Sequence, residues 1–177
     1  MKNRILIFTL LIALASCSSD KSLQEYYVDN SENSNFLAID LPASMLNIEK
    51  TELKATEKKT FNSLKKLNVL AFKKTDDNEV EYEIEKTKVK SILKNKKYVD
   101  IMKLNTPYGK GVIKYLGEED AIDEVIIYGN DEKKGFAIIR VLGKNMNPAH
   151  LVQAIQLLEK SNYKGEGLEK IVELFGK

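Results

Sequence analysis

Residues 98–142 read YVDIMKLNTPYGKGVIKYLGEEDAIDEVIIYGNDEKKGFAIIRVL, and this stretch decides the fold class. β-branched and aromatic residues run in short blocks, each bounded by Gly, Pro, Asn or Asp. The blocks predict four strands at 98–104, 112–116, 122–128 and 136–142, with turns at Pro107–Gly111, Gly117–Asp120 and Gly129–Gly135. Connections this short join antiparallel neighbours, because a parallel pair needs a crossover of a dozen or more residues. Phe136-Ala137-Ile138-Ile139 is apolar on both faces, which places the last strand inside the sheet and not at its edge.

On the N-terminal side, Phe36–Leu41 reads as a strand closed by Pro42. Leu53, Thr60, Phe61, Leu64 and Leu67 then fall at helical spacing, with Lys65 and Lys66 in the last turn where cations suit the dipole. Val69–Phe72 is again strand-like, so a right-handed strand–helix–strand crossover with parallel strands is expected. Residues 79–94 carry two periods: Val80, Tyr82 and Ile84 alternate like a strand, whereas Tyr82, Val89, Ile92 and Leu93 repeat like a helix. The many Glu and Lys residues favour the helix. On the C-terminal side, Asn147 and Pro148 form a helix start, followed by a stripe of Leu151, Val152, Ile155 and Leu158. After Ser161–Gly165 a last short helix carries Leu168, Ile171, Val172 and Phe175. The sum is an α+β fold, a two-layer sandwich of mostly antiparallel sheet with helices packed on one face.

Among the 177 residues, 28 Lys and Arg face 26 Asp and Glu, and Lys2 and Arg4 account for the excess. From Cys17 onward acids and bases are equal at 26 each. That balance disfavours a nucleic-acid partner, since phosphate binding needs a basic excess on one face. One Cys and one His disfavour an internal disulfide and a zinc site.

Residues 1–17, MKNRILIFTLLIALASC, explain where the two extra cations sit. Lys2 and Arg4 precede an apolar run from Ile5 to Ala15, which is the layout of a secretory signal peptide. As a helix the run spans about 16 Å at ~1.5 Å per residue, well short of a bilayer core of ~30 Å. Leu14-Ala15-Ser16-Cys17 resembles the lipobox of bacterial lipoproteins, which implies a diacylglycerol on the Cys17 thiol and cleavage before it. Two or three acyl chains anchor stably where one does not. Ser18 follows the cysteine in place of the Asp that retains lipoproteins in the inner membrane, so the outer membrane of a Gram-negative envelope is favoured. The chain thus divides into a lipoprotein signal peptide, residues 1–16, a lipidated tether, 17–35, and a single α+β domain, 36–177. Within the tether, Tyr26, Tyr27 and Val28 form a sticky patch expected to dock onto the domain.

No catalytic set stands out. His150 lacks a second His or a Cys as partner, and its place in a first helical turn reads as solvated. Ser44, in Pro42-Ala43-Ser44-Met45, lacks the setting of a nucleophile elbow, so a Ser44–His150 hydrolase ranks last. Glu118, Glu119, Asp120, Asp123 and Glu124 lack the alternating ligands and central Gly of a calcium loop and read as a solvated turn. Lys86, Lys88, Lys90 and Lys94, balanced by Glu79, Glu81, Glu83 and Glu85, read as a solvated face. Arg140 differs from all of these. It is the only Arg after Arg4, lies in the most apolar strand and shares the parity of Phe136 and Ile138. A buried Arg needs a carboxylate, and Asp123 or Glu124 could supply it; the same residue could anchor a ligand.

The segments Leu23–Asp29, Phe36–Pro42, Tyr115–Glu124, Gly135–Ala137 and Gly143–Pro148 occur together in an order that resembles the bacterial lipoprotein family catalogued as domain of unknown function 4252. The resemblance covers nearly all of the chain after Cys17. It implies a cell-envelope lipoprotein with this one domain and nothing catalytic, and it brings no cofactor. The expected role is a non-enzymatic interaction module, facing the periplasm or the surface, held to the membrane by lipid and meeting an envelope protein through the open sheet face or the Tyr-rich entry segment. The alternative is a binder of a small or lipophilic ligand, with Arg140 near a cavity between sheet and helices.

Overall fold

The computed structural model describes residues 21–46, 58, 62–106 and 109–147. Among the described residues the order of whole elements is α1 (Leu23–Asn30), β1 (Phe36–Pro42), β2 (Leu64–Lys73), α2 (Glu79–Leu93), β3 (Val99–Thr106), β4 (Gly109–Glu118), β5 (Ala121–Asp131) and β6 (Gly135–Met146). The strands form one sheet in the order β1-β2-β6-β5-β4-β3, and every neighbouring pair is antiparallel. β3 to β6 are the predicted meander, and β6 lies inside the sheet between β2 and β5, as its two apolar faces required. The Gly135 turn closes the β5–β6 hairpin at φ +123°, where a Cβ would run into the Phe72 carbonyl oxygen. Only glycine fits there.

Register sorts the strand residues into two sets. One set puts Phe36, Phe72 and Phe136 side by side across β1, β2 and β6, with Leu70, Ile138 and Tyr128 in the next row. These residues share a single buried cluster with Leu23 and Tyr26 of α1 and Tyr82, Val89, Ile92 and Leu93 of α2. The phenyl rings of Phe72 and Phe136 stack with centroids 5.6 Å apart, and Phe36 meets Phe72 edge-on at 5.0 Å. The other set is apolar in three successive rows and includes a smaller cluster of Ile113, Ile122, Val125 and Met146.

α2 confirms the helical reading of residues 79–94. Tyr82, Val89, Ile92 and Leu93 are its buried stripe, while Val80 and Ile84, which made the strand-like alternation, point to solvent. Two expectations are corrected. Leu64 and Leu67 belong to β2 and not to a helix, and β1 and β2 are antiparallel neighbours, not a parallel crossover. Pairing on both sides, with β1 and with β6, supplies the backbone hydrogen bonds of residues 66–73 and overrides their helical spacing. The stretch read as tether is also structured from Leu23 on. Ser22 caps α1 with a reciprocal box, its side chain accepting from the Glu25 amide and the Glu25 carboxylate accepting from the Ser22 amide. The docking expected of Tyr26 and Tyr27 is seen: Tyr26 is buried and Tyr27 half-buried, whereas Val28 is exposed. Of the helix expected from 53 on, Lys58, Asn62 and Ser63 are described and are helical, whereas Leu53, Thr60 and Phe61 and the readings for 148–158 and 168–175 lie outside the described residues.

Candidate functional site

Polar side chains gather in one row of the sheet, next to the apolar row of Ala38, Leu70, Ile138 and Tyr128. Asp40, Asn68, Arg140, Ile126, Lys114 and Asp100 lie in register across β1, β2, β6, β5, β4 and β3, on the same side as Phe36, Phe72 and Phe136. Arg140 sits at its centre, 4 % exposed. Its Nε donates to Glu124 Oε1 at 2.6 Å and its Nη2 to Glu124 Oε2 at 3.0 Å, a fork-to-fork pair in which Glu124 is also buried. Nη1 donates to Gln24 Oε1 of α1 at 2.6 Å. Next in the row the Asn68 amide donates to Asp40, whose second oxygen lies 2.5 Å from Lys66 Nζ. At the far end Lys114 Nζ lies 2.5 Å from Asp100 and donates to the Tyr98 carbonyl. Each cation of the row thus has its own carboxylate.

Of the two candidates named for Arg140, the structure selects Glu124. Ile126 pairs with Arg140, so Glu124, two residues from Ile126, shares its face, and Asp123 falls in the register shift between Ile122 and Glu124. Glu124 faces inward and Asp123 is exposed. The acidic cluster is divided: Glu118, Glu119 and Asp120 lie exposed around the β4–β5 turn while Glu124 is committed to Arg140. Among the described residues no group of three or more His, Cys, Asp or Glu side chains gathers as a metal site. Ser44 lies exposed in a short 3₁₀ turn after β1, and His150 and Cys17 are outside the described residues.

A second polar set joins the helices. The Tyr26 hydroxyl donates to Glu85 Oε2 at 2.7 Å in the interior, and Lys88 holds the other Glu85 oxygen at 2.6 Å. Burial, and then the Glu85 carboxylate, push the Tyr26 phenol far above its ordinary value. The backbone amide of Leu23 donates to the Tyr98 hydroxyl at 3.1 Å. On the other side of α2, Lys86 lies between Glu83 (2.6 Å) and Glu132 (3.0 Å), with its ammonium 4.7 Å from the centre of the Tyr82 ring. Burial works against its charge, but the two carboxylates raise its pKa above the usual lysine range. Lys86 and Glu85 are buried, so the face read as solvated is partly interior. Tyr128 completes the picture: its phenol is pushed up by burial, and its hydroxyl has no hydrogen-bond partner among the described residues.

Sequence reasoning found Arg140 and Glu124 but missed Gln24, Asn68 and Asp40. Asn68 did carry a signal, as a lone amide inside Leu67-Asn68-Val69-Leu70, legible only once the run is read as a strand. Gln24 carried none.

The model of the protein family described as Domain of unknown function (DUF4252) matches residues 26–154. The chain belongs to this family. The DUF4252 match takes in Tyr26, the whole sheet and both members of the Arg140–Glu124 pair, and it starts inside α1. No curated protein and no solved structure matches the chain.

Proposed function

We propose that this DUF4252 chain is a non-enzymatic lipoprotein of a Gram-negative cell envelope, held through acylated Cys17 and serving as an interaction module, with α1 and α2 covering one face of its sheet. The observation that carries the non-enzymatic reading is the commitment of Arg140. Its guanidinium is buried and engaged by both Glu124 oxygens and by Gln24, so its donors hold α1 to the sheet. A ligand carboxylate or phosphate would have to displace Glu124 and leave that acid buried without a partner, which costs about 3–5 kcal/mol. The anchor reading rests on the order of cationic, apolar and small-residue regions up to Cys17. Lipid at Cys17 would stand six residues ahead of Leu23, so α1 would hold the domain close against the bilayer.

Metabolic labelling with palmitate tests the anchor. The wild type takes up label and sediments with membranes, and Cys17→Ala loses both properties. An unlabelled or soluble wild type would refute the anchor. Crosslinking in intact cells tests the module, and failure to recover any envelope protein under varied growth conditions would count against it.

A further inference from the structure

Acids and bases are equal in number after Cys17, but they are not evenly spread along the chain. Residues 76–85 hold six acids and no base, and residues 86–97 hold six lysines and no acid. The division falls inside α2, which therefore has an acidic N-terminal half and a basic C-terminal half. The helix dipole favours this order only in the first and last turns, and Lys96 and Lys97 lie beyond the helix. Lys86 is buried, while Lys88, Lys90, Lys94, Lys96 and Lys97 are exposed. Lys86 and Lys88 have carboxylate partners. Among the described residues no ion pair engages Lys90, Lys94, Lys96 or Lys97.

The chain enters the domain at this basic end. The Leu23 amide donates to the Tyr98 hydroxyl at 3.1 Å, Tyr26 reaches Glu85, and Asn33 and Asn35 reach Glu81. In that order the contacts lay α1 antiparallel to α2, with its first residue beside the turn that carries Lys96 and Lys97. The Glu25 carboxyl is held below its usual range first by its hydrogen bonds with Ser22 and then by the charge of Lys97, which sits 5.1 Å from the Tyr98 ring centre. The acidic half of α2 lies at the other end, by the β5–β6 turn, where the Tyr82 hydroxyl donates to Asn130. Cys17 stands six residues ahead of Leu23, a reach of at most about 20 Å. A lipid on Cys17 would therefore bring a bilayer surface to the lysines and not to the acids.

We propose that Lys90, Lys94, Lys96 and Lys97 dock the domain onto the anionic phospholipid headgroups of the membrane that holds Cys17, with the acidic end of α2 turned away from the bilayer. The choice of membrane rests on the lipoprotein reading. Charge complementarity carries the choice of partner: lysine is a compact point charge on a flexible stem, and four of them on a helix end and a turn suit a diffuse anionic surface. Each should strengthen attachment to such a surface about fivefold. Salt should remove the effect as the screening length falls from ~30 Å at ~0.01 M to ~8 Å at ~0.15 M.

Lysine footprinting tests it on the wild-type protein purified from membranes and held in vesicles. With a membrane-impermeant amine reagent, Lys94, Lys96 and Lys97 should label several-fold more slowly in mixed phosphatidylcholine–phosphatidylglycerol vesicles than in phosphatidylcholine alone. Lys73 and Lys133, exposed at the opposite end, should label equally in both. A second measurement needs no anchor and uses the processed chain, residues 17–177, with Cys17→Ser. Its binding to the mixed vesicles at low salt should weaken about a hundredfold in the triple variant Lys90→Gln, Lys94→Gln, Lys96→Gln. The triple variant Lys73→Gln, Lys110→Gln, Lys133→Gln changes the net charge equally and should bind like its parent. Equal labelling of the two lysine groups in both vesicles would overturn the proposal, as would equal binding by the two triple variants. A wild type without lipid would overturn the anchor alone, because the second measurement reads the lysines without it.

Discussion

Arg140 is the residue on which the interior charge balance turns. Replacing it with Met leaves Glu124 buried without a cation, and urea unfolding should show a loss of about 3–5 kcal/mol. Adding Glu124→Leu should recover much of that loss, because two apolar groups in place of a buried ion pair are often neutral or stabilising. A single mutant as stable as the wild type would show that the pair is not buried as described. The tyrosines give the residue scale a pH dependence. Tyr26 and Tyr128 keep their phenols neutral well above pH 10 in the folded chain, whereas in the unfolded chain they ionise near 10. Above pH 10 the folded state therefore binds more protons than the unfolded one, and stability falls as pH rises. The slope is about 1.4 kcal/mol per pH unit for each group once its unfolded form is ionised. Below pH 10 neither contributes a slope. Absorbance titration of the eight tyrosines should show these two ionising only with alkaline unfolding, and Tyr26→Phe should make the decline less steep. Of the site itself, Arg140 and its parity were legible, because an arginine inside an apolar strand is a local anomaly. Which acid it takes was not, because it is the pairing of Ile126 with Arg140 that puts Glu124, two residues away, on the face of Arg140 and leaves Asp123 exposed.

At the scale of elements, α1 shows how a short polar helix survives. Eight residues are too few to be stable alone in water. The Ser22–Glu25 box satisfies its first amides, and Tyr26, Leu23 and Gln24 fasten it to α2, Tyr98 and Arg140. Ser22→Ala should lower stability by about 1 kcal/mol, read from the urea midpoint with unchanged slope. A silent mutation would mean that tertiary contacts alone hold the helix end. The same competition between local and distant forces explains residues 64–67. Leu64, Lys65, Lys66 and Leu67 fit a helix end by spacing and charge, yet β6 pairs with Leu64, Lys66 and Leu67, with Lys65 at a register shift, and fixes them in the sheet. Residues 79–93 went the other way, because no strand pairs with them and their Tyr82–Leu93 stripe faces the core.

For the whole molecule, the polar row and the aromatic rows beside it make α1 an integral part of the domain. A chain beginning at Glu32 would lose Tyr26 from Phe36 and Glu85, and Gln24 from Arg140. It should unfold at clearly lower urea and bind a hydrophobic dye where the full chain does not; unchanged stability would make α1 an ornament on a finished domain. The sequence by itself determined the antiparallel meander from 98 to 142, the central place of β6 and the helix at 79–93. These depend on short turns and on side-chain period, which are properties of neighbouring residues. Only the tertiary structure decided that β2 joins β1 and β6, that α1 is part of the domain, and that Glu124 and Gln24 together hold Arg140. Those outcomes rest on contacts such as Gln24 to Arg140, 116 residues apart, whose energy no local pattern records.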